Sequence, residues 1–148
     1  MIYEERVQDL FSCTDDYFLA QCISTDFAMG KGIAVEFNKH FDTKNILKKT
    51  YPDYLANWKA DGRKYDCILI DKVFNLITKE RYFNKPTYET LEHSLIIMKT
   101  LCLENSVKKL AMPVIGCGLD RLNWDKVSEI IKKTFCDTDI EILICKKE

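Results

Sequence analysis

Ala111-Met112-Pro113-Val114-Ile115-Gly116-Cys117-Gly118-Leu119-Asp120-Arg121 joins an apolar run to a loop with two glycines and then, at once, to a carboxylate. The run from Leu110 to Ile115 reads as a strand buried inside a sheet. Glycines at a strand end leave backbone N–H groups free to cradle a phosphate, with an acid close beside them. In open α/β sheets ligands lie beyond the carboxyl ends of the strands. This stretch therefore sets both the fold class and the place to look for chemistry.

Upstream of it, Pro86 or Thr87 opens a helix in which Tyr88, Leu91, Leu95, Met98 and Leu101 recur at steps of three and four, a core-facing stripe. Before that helix come two short strands, Cys67 to Ile70 and Val73 to Thr78, joined through Asp71-Lys72. Phe18 to Ile23 reads as another buried strand, Gly32 to Phe41 as a helix, and Thr43 to Trp58 as a helical stretch interrupted at Pro52. Downstream, Asn123 caps a helix from Trp124 to Phe135, and Ile140 to Cys145 is a final strand. Alternation of this kind predicts an α/β fold with helices on both faces of a mostly parallel or mixed sheet. No internal repeat or low-complexity segment interrupts it, so the 148 residues are expected to form one domain.

Composition narrows the function classes. Net charge is −1, from 22 basic against 23 acidic residues, which lacks the footprint of a strongly basic nucleic-acid binder. The seven cysteines are odd in number and contain no C-x-x-C pair, which argues against a disulfide framework or zinc site and for a reducing compartment, the cytoplasm or, in a eukaryote, also the nucleus. No apolar run approaches the roughly 18 residues of a membrane span.

Four of the five glycines fall in two loops, Gly30 and Gly32 before the first helix and Gly116 and Gly118 after the strand quoted above. Each loop has two readings, a diphosphate cradle at a helix N-terminus or a turn that needs positive φ. Asp120 is either a surface acid paired with Arg121 or an acid or base beside a ligand. Lys79 follows Leu76-Ile77-Thr78 at a strand end; part-buried there, it would be disfavoured as a cation and could serve as a nucleophile. Asp9, just before Leu10-Phe11, either accepts the exocyclic amine of a purine or caps a short helix. Cys117 invites a thiol-nucleophile reading, but His40 and His93 stand near no partner motif, so it is read as structural.

Gln21-Cys22-Ile23-Ser24, Met29-Gly30-Lys31-Gly32-Ile33-Ala34, Leu76-Ile77-Thr78-Lys79, Lys85-Pro86-Thr87-Tyr88-Glu89 and Ile115 to Leu122 together resemble the macrodomain superfamily, in its ALC1-like branch. The likeness runs in matching order from about Asp9 to Ile144. It implies a three-layer α/β/α fold with a mixed central sheet that binds ADP-ribose and needs neither metal nor cofactor. It further implies that Lys79 and Asp120 are catalytic, through a lysyl–ribose adduct that Asp120 helps water to resolve. The implied substrate is mono-ADP-ribose ester-linked to Asp or Glu of a protein, with O-acyl-ADP-ribose as a second one. Asp9, Leu10, Ser24, Met29, Gly30, Gly32, Ile33, Thr78, Ile115, Gly116, Cys117, Gly118 and Leu119 are the positions the resemblance assigns to ligand binding. ADP-ribosylated DNA, ADP-ribose 1''-phosphate and a non-catalytic ADP-ribose reader are the alternatives; a monomer without membrane partners is expected. The chain departs from the pattern at Ser24-Thr25-Asp26-Phe27, where most macrodomains are asparagine-rich, and at Gln8, Lys31 and Cys145.

Overall fold

The computed structural model describes residues 1–147. Six strands form one sheet: β1 (Ile2–Val7), β2 (Phe18–Ser24), β3 (Asp66–Ile70), β4 (Val73–Lys79), β5 (Lys109–Met112) and β6 (Glu141–Lys146), in the order β1-β6-β5-β2-β4-β3. All neighbours are parallel except β3 and β4, which pair antiparallel across the tight Asp71-Lys72 link. The mixed sheet of an α/β fold is thus present, and its parallel strands send their carboxyl ends to one edge.

Five helices cover it: α1 (Ile33–Phe41), α2 (Thr43–Thr50), α3 (Tyr54–Asp61), α4 (Tyr88–Glu104) and α5 (Trp124–Phe135). Side chains alternate across each strand, so one sequence feeds two cores. Leu19, Ile23, Val73, Ile77, Ala111 and Leu143 face α1, α2 and α3 through Phe37, Leu47 and Trp58. Ala20, Phe74, Leu76, Met112 and Ile144 face α4 and α5 through Leu91, Leu95, Met98, Val127 and Ile131. The result is three layers. Helix α4 starts where Thr87 was expected to start it. Thr87 Oγ1 accepts from the Thr90 N–H at 3.0 Å and Thr90 Oγ1 accepts from the Thr87 N–H at 3.1 Å, a reciprocal cap.

Three boundaries differ from the sequence reading. The strand expected over Leu110 to Ile115 ends at Met112, because Pro113 has no N–H to continue the ladder. Val114 and Ile115 belong to the loop, with the Ile115 N–H folded back onto the Pro113 carbonyl at 2.8 Å. The helical stretch from Thr43 is interrupted at Tyr51-Pro52-Asp53, as Pro52 predicts, but its second helix, α3, runs past Trp58 to Asp61. Strand β1 is the third difference. Its inner residues Tyr3, Glu4, Glu5 and Arg6 give no apolar alternation, since it is an edge strand with mostly exposed side chains.

Candidate active site

Strand β4 delivers Lys79 to the carboxyl edge of the sheet, and β2 delivers Ser24 beside it; the two are register partners, with a bulge between Ile23 and Ser24. Asp120 arrives from the loop after β5, and its Oδ1 lies 2.6 Å from Lys79 Nζ. Their side chains are 12% and 14% exposed, so the pair is screened from bulk water yet reachable. The part-burial expected of Lys79 is there, together with a counter-ion 41 residues away that no local pattern revealed. Beneath the pair, the Ser94 hydroxyl of α4 donates to the Ile77 carbonyl at 3.1 Å and fixes the last turn of β4.

The Asp120 loop is closed on itself: the Leu122 N–H donates to the Gly116 carbonyl at 2.7 Å and the Arg121 N–H to the Gly118 carbonyl at 3.2 Å. Gly116 has φ +72°, and a Cβ there would stand 3.1 Å from Leu122 Cδ1, so only glycine fits without displacement. Gly32, the N-cap of α1, has φ +66°, and a Cβ there would meet Leu119 Cδ1 at 3.6 Å. The two glycine loops therefore adjoin through Leu119, which is otherwise exposed. Their free backbone N–H groups and the α1 N-terminus offer an anion a favourable site.

The remaining candidates spread along the same edge. Asp9 follows β1, and its carboxylate accepts the Phe11 N–H at 3.1 Å, capping the 3-10 turn Leu10–Cys13. Leu10, Met29 and Ile115 are buried, while Gly30 is exposed. Thr78 is buried with its hydroxyl unpartnered among the described residues. From the end of β1 to the end of β4 is four strand spacings, roughly 19 Å, with the glycine loops between. The edge thus carries the Asp9 carboxylate at one end and the Lys79–Asp120 pair at the other.

Cys117 does not fit a nucleophile's environment. Burial, and then the charge of Asp120, push its thiol up to about 11, so it stays protonated at neutral pH. Burial also raises the neighbouring Cys22 thiol. Of the two histidines, His40 stacks on Phe11 with centroids 4.3 Å apart, and His93 stacks on Tyr65 and faces Glu89. Two surface clefts lie away from the strand ends. The larger, about 570 Å³, lies beside β3 and α3, where Asp66 is already engaged by Tyr54 and Arg63.

Sequence reasoning passed over Asp26 as a functional group. Its Oδ1 accepts from the Ser24 hydroxyl at 2.5 Å and from the Ala28 N–H at 3.2 Å, and its Oδ2 accepts from the Tyr82 N–H at 3.1 Å. The bond to the N–H two residues on is an Asx turn, a local signal that Asp26-Phe27-Ala28 carries in plain view. The bond to Tyr82 is not visible in any local pattern.

No family model matches the chain. Human ADP-ribose glycohydrolase OARD1 is 47% identical over 140 residues, covering 92% of this chain and 86% of the relative. The macrodomain of Mycobacterium tuberculosis DarG superposes with a TM-score of 0.79 at 19% identity, over 99% of this chain and 98% of that one. Thermosipho africanus DarTG in complex with ADP-ribose superposes with a TM-score of 0.63 at 21% identity, over 86% of this chain and 37% of that one. The fold is that of the macrodomains.

Proposed function

The chain belongs to the family of ADP-ribose glycohydrolase OARD1, and from that premise we propose that it frees mono-ADP-ribose from ester-linked Glu and Asp side chains of proteins through a Lys79–sugar adduct. The observation that carries the reading is the Lys79–Asp120 pair, 2.6 Å apart and part-buried at the carboxyl edge of the sheet. A binding module needs neither an amine nucleophile nor an adjacent base, so this pair also weighs against a non-catalytic reader.

In this reading the ligand runs along the carboxyl edge of the sheet with its adenine toward Asp9, its diphosphate between the Gly30–Gly32 and Gly116–Gly118 loops, and its distal ribose at Lys79. The roughly 19 Å from β1 to β4 suits a nucleoside diphosphate-sugar. Asp120 takes a proton from Lys79, and the freed amine attacks the anomeric carbon of the distal ribose, whose ring opens. The ring C–O bond breaks as the C–N bond forms, with the ring oxygen taking the proton held by Asp120. The nitrogen, after giving up a proton, then uses its lone pair to expel the ester oxygen with its bonding pair as the acceptor carboxylate, leaving a C=N adduct on Lys79. Asp120 then directs water to the same carbon, the amine departs with a proton, and free ADP-ribose closes its ring. Lys79 and Asp120 end in their starting protonation states, one proton passes to solvent, and the net change is hydrolysis by one water. Ser24, Met29, Ile33, Thr78, Ile115, Cys117 and Leu119 line or support this path, with Leu10 under the adenine end.

The test is a glutamate-ADP-ribosylated protein incubated with the enzyme, with free ADP-ribose measured. Turnover, together with a borohydride-trapped adduct mapped to Lys79, is the expected result. No release at equimolar enzyme would overturn the hydrolase reading. Exposed Lys31 beside Gly32 motivates a DNA-linked substrate in the same panel, with O-acetyl-ADP-ribose and ADP-ribose 1''-phosphate as the other members.

A further inference from the structure

The geometry points to Asp26 as a positioning residue for the lysine–aspartate chemistry, an inference that rests on the reaction proposed above. The Asp26 side chain joins the end of β2 to the segment that follows Lys79. One carboxylate oxygen accepts from the Ser24 hydroxyl and the Ala28 N–H; the other accepts from the Tyr82 N–H. Thr25, the residue before it, adds two more ties: its N–H donates to the Lys79 carbonyl at 3.1 Å and its hydroxyl to the Glu80 carbonyl at 2.5 Å. Thr25 and Asp26 thus stitch the end of β2 to Lys79 and to the chain that follows it.

Two consequences follow for the site. By accepting the Ser24 hydroxyl hydrogen, Asp26 leaves that oxygen's lone pairs free to accept from a ribose hydroxyl. By holding the Tyr82 N–H, it fixes the start of the segment that carries Tyr82 and Phe83, an exposed aromatic pair at 5.4 Å in an edge-to-face contact. That segment has only a small turn of its own, with Asn84 Oδ1 accepting the Arg81 N–H at 2.9 Å. Phe27 and Met29, at φ +50° and +48°, hold a conformation costly for L residues, and the Asp26–Ala28 bond lies inside that strained stretch. A carboxylate is needed because all three partners donate. An amide at this position accepts at one end only.

The experiment compares wild type, Asp26→Ala, Asp26→Asn, Ser24→Ala and the Asp26→Ala/Ser24→Ala double variant for kcat, KM, ADP-ribose affinity by calorimetry, and melting temperature. Misplacement of a reacting group by about 1 Å can cost on the order of a hundredfold. Asp26→Ala is therefore expected to lower kcat by about 10- to 100-fold, with a smaller change in KM. Asp26→Asn keeps the Ser24 and Ala28 contacts and should recover part of the loss. The double variant should be no slower than the slower single one, because the two residues act in series. Wild-type kcat in Asp26→Ala would overturn the role, as would additive effects in the double variant. Equal loss in Asp26→Asn and Asp26→Ala that tracks a fall in melting temperature would reduce Asp26 to a structural residue and also overturn it. Wild type without turnover is a separate failure, that of the proposed reaction itself.

Discussion

Strand β4 carries Asn75 and Lys79 four residues apart, and the molecule treats these two polar side chains in opposite ways. Asn75 is fully buried in mid-sheet, where its Oδ1 accepts from Gln21 Nε2 at 2.9 Å and its amide donates to the Ile68 and Val73 carbonyls at 3.2 and 3.3 Å. Every one of those contacts is short-range within the sheet and closed to ligands. Lys79 reaches the carboxyl edge and meets a single carboxylate from another loop. The difference teaches that position along one strand separates structural polarity from reactive polarity. A polar group with its bonds complete holds the sheet in register, whereas one with a single labile partner at the edge can exchange a proton and a bond.

The contrast can be broken from either side. The largest effect is expected for Lys79→Ala: release of ADP-ribose from a glutamate-linked substrate should fall by about a thousandfold or more, with the melting temperature nearly unchanged. Asp120→Asn should cost roughly 10²- to 10⁴-fold, the range of positioned acid–base groups, while ADP-ribose binding by calorimetry survives. Asn75→Leu should do the reverse. It strands the Gln21 amide and two carbonyls in the core, so urea unfolding should show a loss of about 2–3 kcal/mol, with kcat of the folded enzyme within twofold. Adding Gln21→Leu should cost less than the sum of the two single changes, because the pair is then removed together. A large kcat loss in Asn75→Leu would erase the distinction drawn here.

The smallest effect is expected at Cys117. Cys117→Ser should stay within a few-fold of wild type, because a buried thiol beside a carboxylate is not the nucleophile. Alkylation by iodoacetamide should be slow at pH 7.5 and accelerate only as pH rises toward about 11, where the thiolate forms. Fast inactivation at neutral pH, protected by ADP-ribose, would return Cys117 to the chemistry.

Much of this was legible before any coordinates. The apolar stripe of α4 and its Thr87 start, the Asn123 cap, and the buried runs at Phe18 and Val73 each rest on local rules, and each element stands where those rules put it. Strand β1 was not legible, because an edge strand paired only with β6 needs no apolar face. The strand quoted at the outset ends early, because Pro113 outweighs the hydrophobicity of Val114 and Ile115. At the site, the glycines could be read singly, and Gly32 and Gly116 do hold positive φ. The pairing of Lys79 with Asp120, the seating of Leu119 against Gly32 and the reach of Asp26 to Tyr82 all depend on which strands are neighbours. No window of sequence contains that information.

The sheet order has a consequence in time. Among the strands of the sheet β1 is made first, yet among the described residues it pairs with β6 alone, made last. β2 lies between β5 and β4, so Lys79 emerges from synthesis and can pair into the sheet well before Asp120 exists beside it. A nascent chain would thus hold Lys79 without its Asp120 partner. The pair forms only when the loop after β5 is in place, and the first strand of the sheet to be made is the one that waits for the last.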